Sequence, residues 1–511
     1  MALAALTLLT AAPAAGQQPA VDSAMDAEPA NPISASRIEE LETRIGELEL
    51  ALSDLQTAQA KPDAKSDDSF FTKIGENGFE VESHNGDFYF HAGGRVQVDG
   101  VALQAPNLVL GGAGDDDSAS LRRARLRFDG RFYETMLWAA EFDVANTIDT
   151  DPLNPANPVD PYGGDVINVA APTDVWWLFT ELPLVNNLRI GIQKEPMGLE
   201  RLTSSRFLDF MERSYLQDAF NGPRNNGFSP GIAFLNWNES ETVTWSLGGF
   251  KVTQNPFGYE IGDNEYAVTG RLTCVPLSGD GDRELLHLAI AGSYRGLDEE
   301  ADPTVGNLRI RSRASLRNGP GPFNPSLADT NFSGRLYGDT ETFVSPEAAI
   351  ILGPWHFQSE YVAGYVNDTT FTPIASAPVD VGRVFFNGGY VQALYFLTGE
   401  HREYDRHGAK FERVVPRDNF DVTRDKGWCG LGAWQIGARY GYLDLNNGPI
   451  DGGYVHDLTL GLNWFINPNA KMQFNYIIED VSNNVRNGAG VITAVNDDIL
   501  TGFGVRMAFD F

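Results

Sequence analysis

From about residue 70 to residue 511, polar and apolar residues alternate with a period of two in one segment after another. In the last segment, Val505, Met507 and Phe509 alternate with Arg506 and with small or acidic neighbours. Because successive side chains of a strand point to opposite faces, each segment predicts a strand with one apolar and one polar face. A soluble β-sandwich produces the same alternation, so the pattern alone leaves two architectures open.

The number of segments and the lengths of their connections favour a membrane barrel. About sixteen segments repeat across the chain, with aromatic residues near their ends and a terminal Phe511. Connections after even-numbered segments are mostly tight, and those after odd-numbered segments are usually longer and polar, as expected for periplasmic turns and outer loops. We therefore predict an all-β fold: an antiparallel transmembrane β-barrel of about sixteen strands over residues 70–511.

The residues before the barrel predict export and a short helix. Residues 1–16 are small and apolar and resemble a signal peptide, although the usual basic residue before the apolar core is missing. Residues 17–34 form a polar linker, and residues 59–69 form a charged tether. Between them, apolar spacings of three and four over residues 35–58 predict a short coiled coil, with a single amphipathic helix as the alternative.

One basic row contrasts with the acidity of the whole chain. The formal net charge is −31, which argues against a nucleic-acid partner. In an extended chain, Arg309, Arg311, Arg313 and Arg317 share one parity and would align four guanidiniums along one side. Guanidiniums bind phosphate and carboxylate oxygens bidentately, so the row suggests passing anions, while a solvated basic loop is the alternative.

Three connections are too long for simple loops, namely residues 196–229, 297–340 and 398–430. Each one either folds inward to narrow the lumen or forms an external lid. Within the first, residues 199–201 and 210–213 suggest short helical turns.

Several motifs resemble the phosphate-selective porin O and P family, in order from about residue 75 to the C-terminus. They are Gly93-Gly94-Arg95-Val96-Gln97, Leu121-Arg122-Arg123-Ala124-Arg125-Leu126, the stretch 198–206, Leu397-Thr398-Gly399-Glu400, Gly408-Ala409-Lys410-Phe411, Gly432-Ala433-Trp434 and Gly461-Leu462-Asn463-Trp464. The resemblance implies a trimeric outer-membrane barrel of sixteen strands that passes inorganic anions.

The resemblance also implies roles for single residues. An arginine row on an inward-folded loop matches Arg309, Arg311, Arg313 and Arg317, and basic residues of the early strands and third loop match Arg95, Arg122, Arg123 and Arg206. Arg206 stands where the family has a lysine, and Asp174 corresponds to a carboxylate near the constriction.

Strand parity gives an independent prediction for the second segment. Arg123 and Arg125 share one parity opposite apolar neighbours, which suits a lumen orientation. Arg122 would face the other way unless a bulge intervenes.

These observations predict a porin in the outer membrane of a diderm bacterium. It would let phosphate or similar inorganic anions diffuse passively along arginines, without any cofactor, since two distant cysteines define no disulfide framework or metal site. Expected partners besides these anions are outer-membrane lipids, two further copies of the chain in a homotrimer, and the cell wall through the coiled coil.

Three other functions remain open. A general or cation-preferring porin would result if acidic loop residues, such as Asp115 to Asp117, lined the lumen. A barrel enzyme would need a nucleophile beside a base, and the sequence shows no such signature. A structural barrel linked to the cell wall would be plugged.

Overall fold

The computed structural model describes residue 44 and residues 70–75, 78–105, 108, 117–149, 166–221, 227–252, 265–279, 281–299, 301–304, 306–317, 324, 326–423 and 427–511. The predicted signal peptide, linker, coiled coil and tether lie outside these residues, apart from residue 44.

Sixteen antiparallel strands form one closed barrel. They are β1 Phe88–Gln104, β2 Asp117–Phe132, β3 Met136–Asp149, β4 Val166–Leu182, β5 Asn186–Lys194, β6 Phe228–Trp237, β7 Val243–Lys251, β8 Tyr266–Gly279, β9 Glu284–Gly296, β10 Thr340–Leu352, β11 Trp355–Pro373, β12 Val379–Phe396, β13 Ala433–Asn447, β14 Ile450–Asn467, β15 Ala470–Arg486 and β16 Ile492–Asp510. Each strand pairs with its neighbours in the chain, and β16 pairs with β1, for example Phe503 opposite Ala102. The barrel and its strand number are as predicted.

The wall places polar side chains inside and apolar side chains on its outer surface, which is the reverse of a soluble protein. On β1, Arg95, Gln97 and Asp99 are buried inside the barrel, whereas Val98 between them is 47% exposed on the outer surface. The same alternation runs around the wall and leaves apolar side chains such as Phe503 outside. An apolar exterior around a polar interior is the arrangement that a bilayer requires of a barrel. Among the described residues, no helix is long and apolar enough to cross a membrane.

Some strands run further than the alternation indicated. The connections after β11, β13 and β15 contain only residues 374–378, 448–449 and 487–491, although longer loops were expected there. Ladder pairing continues through polar residues at these strand ends, for example between Arg486 and Ile492. Because backbone pairing does not need apolar side chains, the pattern underestimates strand length near the rim.

Three long connections enter the barrel, and we name them loop L3 (residues 195–227), loop L5 (residues 297–339) and segment T6 (residues 397–432). L3 begins with the predicted helical turn, at Leu199–Leu202. The second turn, predicted at residues 210–213, is wrong, because these residues are irregular and hydrogen-bond to the wall instead.

Contacts with the wall place all three connections inside. Tyr215 of L3 donates its hydroxyl to Glu479 Oε1 of β15 at 2.8 Å, and the Ser315 backbone N–H of L5 donates to the same oxygen at 2.6 Å. From the other end, T6 offers the Ala409 carbonyl to both terminal nitrogens of Arg271 on β8 at 3.1 Å. These contacts favour inward folding over the external lid for each connection.

A two-stranded hairpin, Phe70–Gly75 with Gly78–Ser83, precedes the barrel. Its second strand pairs with the beginning of β1, where Phe79 lies opposite Ala92. The hairpin thus extends the wall beyond the end of β16, on the side of the short turns.

Gly191 of β5 is a point where the wall admits no side chain. Its φ is +136°, and a Cβ there would lie 2.2 Å from the Val175 carbonyl oxygen. We expect Gly191→Ala to lower the free energy of unfolding by about 2 kcal/mol or more, because it adds both backbone strain and a clash. Gly249→Ala is the control, since a Cβ at that position meets nothing within 4 Å. Chemical unfolding in lipid vesicles measures both, and equal effects would contradict this account.

Candidate functional site

The interior contains a cavity of about 730 Å³ on one side of the barrel. Its wall residues come from β1 to β8, and L3, L5 and T6 complete the lining. Inside β9 to β16, loop side chains fill the space instead: the Phe220 and Phe343 rings pack 5.7 Å apart, and Met211 and Leu316 lie against Gly504. The open space is therefore eccentric.

The lining is strongly basic. Among the residues that the structure describes, fifteen lysines and arginines line the cavity against seven aspartates and glutamates. In a chain whose formal net charge is −31, this excess of positive charge is a local property of the interior. A cavity of one charge sign within a low-dielectric wall concentrates ions of the opposite sign.

Glu141 of β3 organises the first arginine group. It accepts hydrogen bonds from Arg95 at 2.8 Å and from Arg125 at 3.0 Å. Arg125 also donates its Nε to Asp143 at 2.7 Å, and Arg95 reaches the Ser204 hydroxyl of L3 at 3.0 Å. The two predicted residues Arg95 and Arg125 are therefore held in fixed positions on the cavity wall.

Glu212 of L3 organises a second group. Arg122 binds it with two hydrogen bonds of 2.8 and 2.9 Å, Arg506 of β16 donates at 2.7 Å, and Arg123 lies at 3.4 Å. Burial alone would raise the pKa of Glu212, but these guanidiniums hold it well below its ordinary value. Glu212 therefore stays ionised and fixes L3 to both β2 and β16.

A β-bulge explains how Arg122 reaches the lumen. Gln97 lies opposite Arg123, but the next residue, Val98, lies opposite Leu121, so Arg122 is the additional residue of β2. At a bulge, the extra residue can point its side chain to the face opposite to the one that strict alternation predicts. The bulge that the sequence analysis required for a lumen-facing Arg122 is therefore present in the structure.

The arginine row of L5 is extended only over its first part. Residues Arg311–Arg313 form a short strand that pairs with Ser326–Asp329. Leu308, Ile310 and Ser312 on the opposite face are buried, as an alternating strand requires. The chain then leaves the strand, so the predicted single line of four guanidiniums is wrong for its last member, Arg317.

Arg313 and Arg317 meet again at one carboxylate. Arg313 Nη2 lies 2.9 Å from Asp218 Oδ1, and Arg317 Nη2 lies 2.8 Å from Asp218 Oδ2. Burial would raise the pKa of Asp218, but the two guanidiniums hold it below its ordinary value. Both arginines line the cavity, and half of their charge is compensated.

Arg309 and Arg311 stand apart from the cavity lining. Arg309 donates three hydrogen bonds to Asp329, two of 3.1 Å from Nε and one of 2.5 Å from Nη2, and its side chain is 47% exposed. Arg311 forms no ion pair with any residue in the described part of the chain. Burial and the neighbouring guanidiniums of Arg309 and Arg313 lower the pKa of Arg311 to about 10, so it remains charged near neutral pH.

The remaining predicted residues both line the cavity. Arg206 Nη1 lies 3.7 Å from Asp510 Oδ2 near the end of β16. Asp174 lies on the wall formed by β4 and makes no ion pair with a described residue. The structure therefore brings eight of the ten predicted residues around one cavity, all except Arg309 and Arg311.

Sequence reasoning missed several residues of this site. Arg189 on β5 was detectable from its alternation with apolar neighbours. The carboxylates Glu141, Glu212 and Asp218 carry no comparable signal, because they are defined by contacts between distant segments.

A closed barrel with an apolar exterior and an eccentric basic cavity defines a porin, a channel of the outer membrane of a diderm bacterium. The chain belongs to the phosphate-selective porin O and P family, whose model matches residues 90–511. Because this family consists of porins, its match points to a channel rather than an enzyme.

Proteins similar to the chain include relatives known from their sequences and porins of known structure. A Caulobacter vibrioides protein described as uncharacterized is 29% identical over 439 residues, covering 84% of this chain and 75% of that protein. Porin O of Pseudomonas aeruginosa is 25% identical over 464 residues, covering 85% of this chain and 91% of that porin. The structure of an anion-selective porin from Comamonas acidovorans aligns with a TM-score of 0.44 at 11% identity, covering 83% and 100% of the two chains.

Proposed function

We propose that the channel conducts phosphate and similar inorganic anions by passive diffusion. The observation that carries this proposal is the excess of fifteen basic over seven acidic residues in the described part of the cavity lining of a strongly acidic protein. The name of the family supports the same choice of ion. A general or cation-preferring porin would need a neutral or acidic lining.

The proposed mechanism has two stages. Arg309 and Arg311, which lie on L5 outside the cavity lining, raise the local concentration of anions at the entrance. Inside, an oxyanion exchanges water for guanidinium donors of Arg95, Arg123 and Arg125. Because Glu141 and Glu212 already occupy part of each guanidinium, binding at each position is shallow, and shallow binding in series permits exit.

The proposal extends to the assembly and to the whole chain. We propose a homotrimer of barrels, each comprising residues 70–511 and contacting outer-membrane lipids through acidic loops and divalent ions. Residues 1–16 would act as a signal peptide, followed by a linker (17–34), a coiled coil (35–58) and a tether (59–69). The coiled coil would reinforce the trimer or contact the cell wall.

Single-channel recordings test the choice of ion. In a chloride solution, we expect added phosphate to reduce the chloride conductance by half at about millimolar concentration or below, because phosphate occupies the same guanidiniums for longer. In a salt gradient, the sign of the reversal potential should report anion preference. A reversal potential of cation-preferring sign, or a conductance insensitive to phosphate, would contradict the proposal.

A further inference from the structure

The wall of the cavity formed by β4 and β6 differs in chemistry from the rest of the lining. Trp176, Leu178, Leu235 and Trp237 lie on the lumen face of these strands and line the cavity. We call these four residues the apolar strip. All four are only partly buried, so apolar surface faces the interior of a channel whose described lining is mostly charged.

The strip extends along the passage rather than around it. On β5, Gly191 lies opposite both Trp176 of β4 and Gly231 of β6. Trp237 is six residues further along β6 than Gly231, which corresponds to about 20 Å at the rise of a strand. The two indole rings are therefore successive positions on a route toward the short-turn end of the barrel.

A cationic or titratable group lies against each of these indoles. The Arg189 guanidinium is stacked over the Trp176 ring at 4.7 Å, within the range of cation–π contacts. The His407 ring of T6 stacks on Trp237, with the ring centroids 4.1 Å apart. Trp176 thus combines an aromatic surface with a guanidinium that can bind an anion, whereas the imidazole beside Trp237 already contacts Glu241 at 2.9 Å.

Neither Arg189 nor Lys194 of this wall is held in an ion pair with a described residue, unlike the arginines held by Glu141 and Glu212, and the nearby Asp174 carboxylate acts on both only at longer range. Arg189 forms no ion pair within the described ranges, and its Nε is buried without a hydrogen-bond partner. Asp174, which lines the same wall, makes no ion pair with it. The Lys194 ammonium donates to the Arg201 carbonyl at 2.7 Å and likewise pairs with no described carboxylate. Arg189 therefore remains available beside Trp176, and Lys194 lines the same cavity.

An inorganic oxyanion gains no favourable contact from the apolar strip. Phosphate offers only oxygens, and apolar surface beside it reduces its hydration without any compensating contact. An anion that carries an aromatic ring can place the ring against an indole and the charged group against a guanidinium. The cavity volume of about 730 Å³ also falls among those of sites for organic ligands, which span roughly 300–1,000 Å³.

We propose that the channel also takes up anions bearing an aromatic ring, such as aryl phosphates and aryl carboxylates. The ring would contact Trp176 and then Trp237, while the anionic group binds Arg189 and Lys194. This inference rests on the proposed function, because it assigns a second class of substrate to the same anion passage.

Phenyl phosphate and methyl phosphate provide a matched test, because they share one charged group and differ only in the ring. Each ester is titrated against the chloride current of the full-length channel in planar bilayers. We expect phenyl phosphate to halve the current at a concentration about tenfold lower than methyl phosphate. Inorganic phosphate serves as the reference for the charged group.

Tryptophan variants test whether the difference between the two esters arises at the apolar strip. The double variant Trp176→Ala and Trp237→Ala should reduce the difference between the esters to about twofold or less. Trp177→Ala is the control, since that indole follows Trp176 in the same strand but is 57% exposed on the outer surface, and it should leave the tenfold difference unchanged.

The outcomes separate this inference from the proposed function. Equal blocking by the two esters in the unmodified channel would overturn the inference while leaving phosphate selectivity intact, even if a variant failed to fold. A preference for phenyl phosphate that survives in the double variant would also overturn it, because the ring would then bind elsewhere. If the reversal potential is cation-preferring and neither ester nor phosphate blocks, the proposed function itself fails.

Discussion

Replacing Arg309, Arg311 and Arg313 together with alanine is expected to lower the anion-to-cation permeability ratio about tenfold. The effect has two parts. Three positive charges disappear from L5, and the partners of two of them, Asp329 and Asp218, lose an ion pair. Asp329 is then left without a guanidinium among the described residues and attracts cations, whereas Asp218 keeps its ion pair with Arg317, so the change exceeds that from removing unpaired arginines. The reversal potential across a planar bilayer in a potassium chloride gradient measures the ratio.

Arg335→Ala is the matched control for this experiment. Arg335 belongs to L5 as well, is exposed, and donates to the Gly334 carbonyl at 3.3 Å rather than to a carboxylate. It does not line the cavity, and its loss should leave the reversal potential nearly unchanged. If the triple variant behaves like Arg335→Ala, the row on L5 has no part in selectivity.

Glu212→Ala is expected to destabilise the barrel interior by about 3–5 kcal/mol, because it leaves the guanidiniums of Arg122 and Arg123 without their carboxylate, although Arg506 keeps Asp99 at 2.6 Å. Arg122, Arg123 and Arg506 all lie within 3.4 Å of Glu212, and Arg506 also holds the Met211 carbonyl of L3. Releasing this part of L3 should widen the passage. We therefore expect a lower free energy of unfolding in vesicles together with a higher single-channel conductance.

Glu241→Ala provides the comparison for an exposed ion pair. Its carboxylate lies 2.9 Å from His407, but both side chains are nearly half exposed, at 45% and 48%. Exposed pairs contribute about 1 kcal/mol or less, so this variant should lose little stability. Equal losses in the two variants, or an unchanged conductance in Glu212→Ala, would show that Glu212 does not anchor L3.

The wall of the barrel was predictable because its determinants are local. Alternation places Arg95 and Asp99 on one face and Val98 on the other without knowledge of any partner strand. Strand number followed from counting segments, and the structure closes the predicted barrel by pairing β1 with β16. The wall is thus specified by the period of the sequence.

The interior was predictable only in part, because its determinants are contacts between distant segments. Parity excluded Arg122 from the lumen, and only the register against β1 reveals the bulge that admits it. The residues next to Asp218 in the sequence do not reveal its ion pairs, because its partners Arg313 and Arg317 come from another loop. Family resemblance supplied the arginines, whereas no local pattern supplied the acids that position them.

The shared anchor at Glu479 has a consequence for biogenesis. One oxygen of this side chain binds Tyr215, which is 264 residues away in the chain, and Ser315, which is 164 residues away. Such non-local contacts can form only after the intervening chain is in place. Anchoring of L3 and L5 at this side chain is therefore a late event in folding, because it requires the penultimate strand, β15, to be in place.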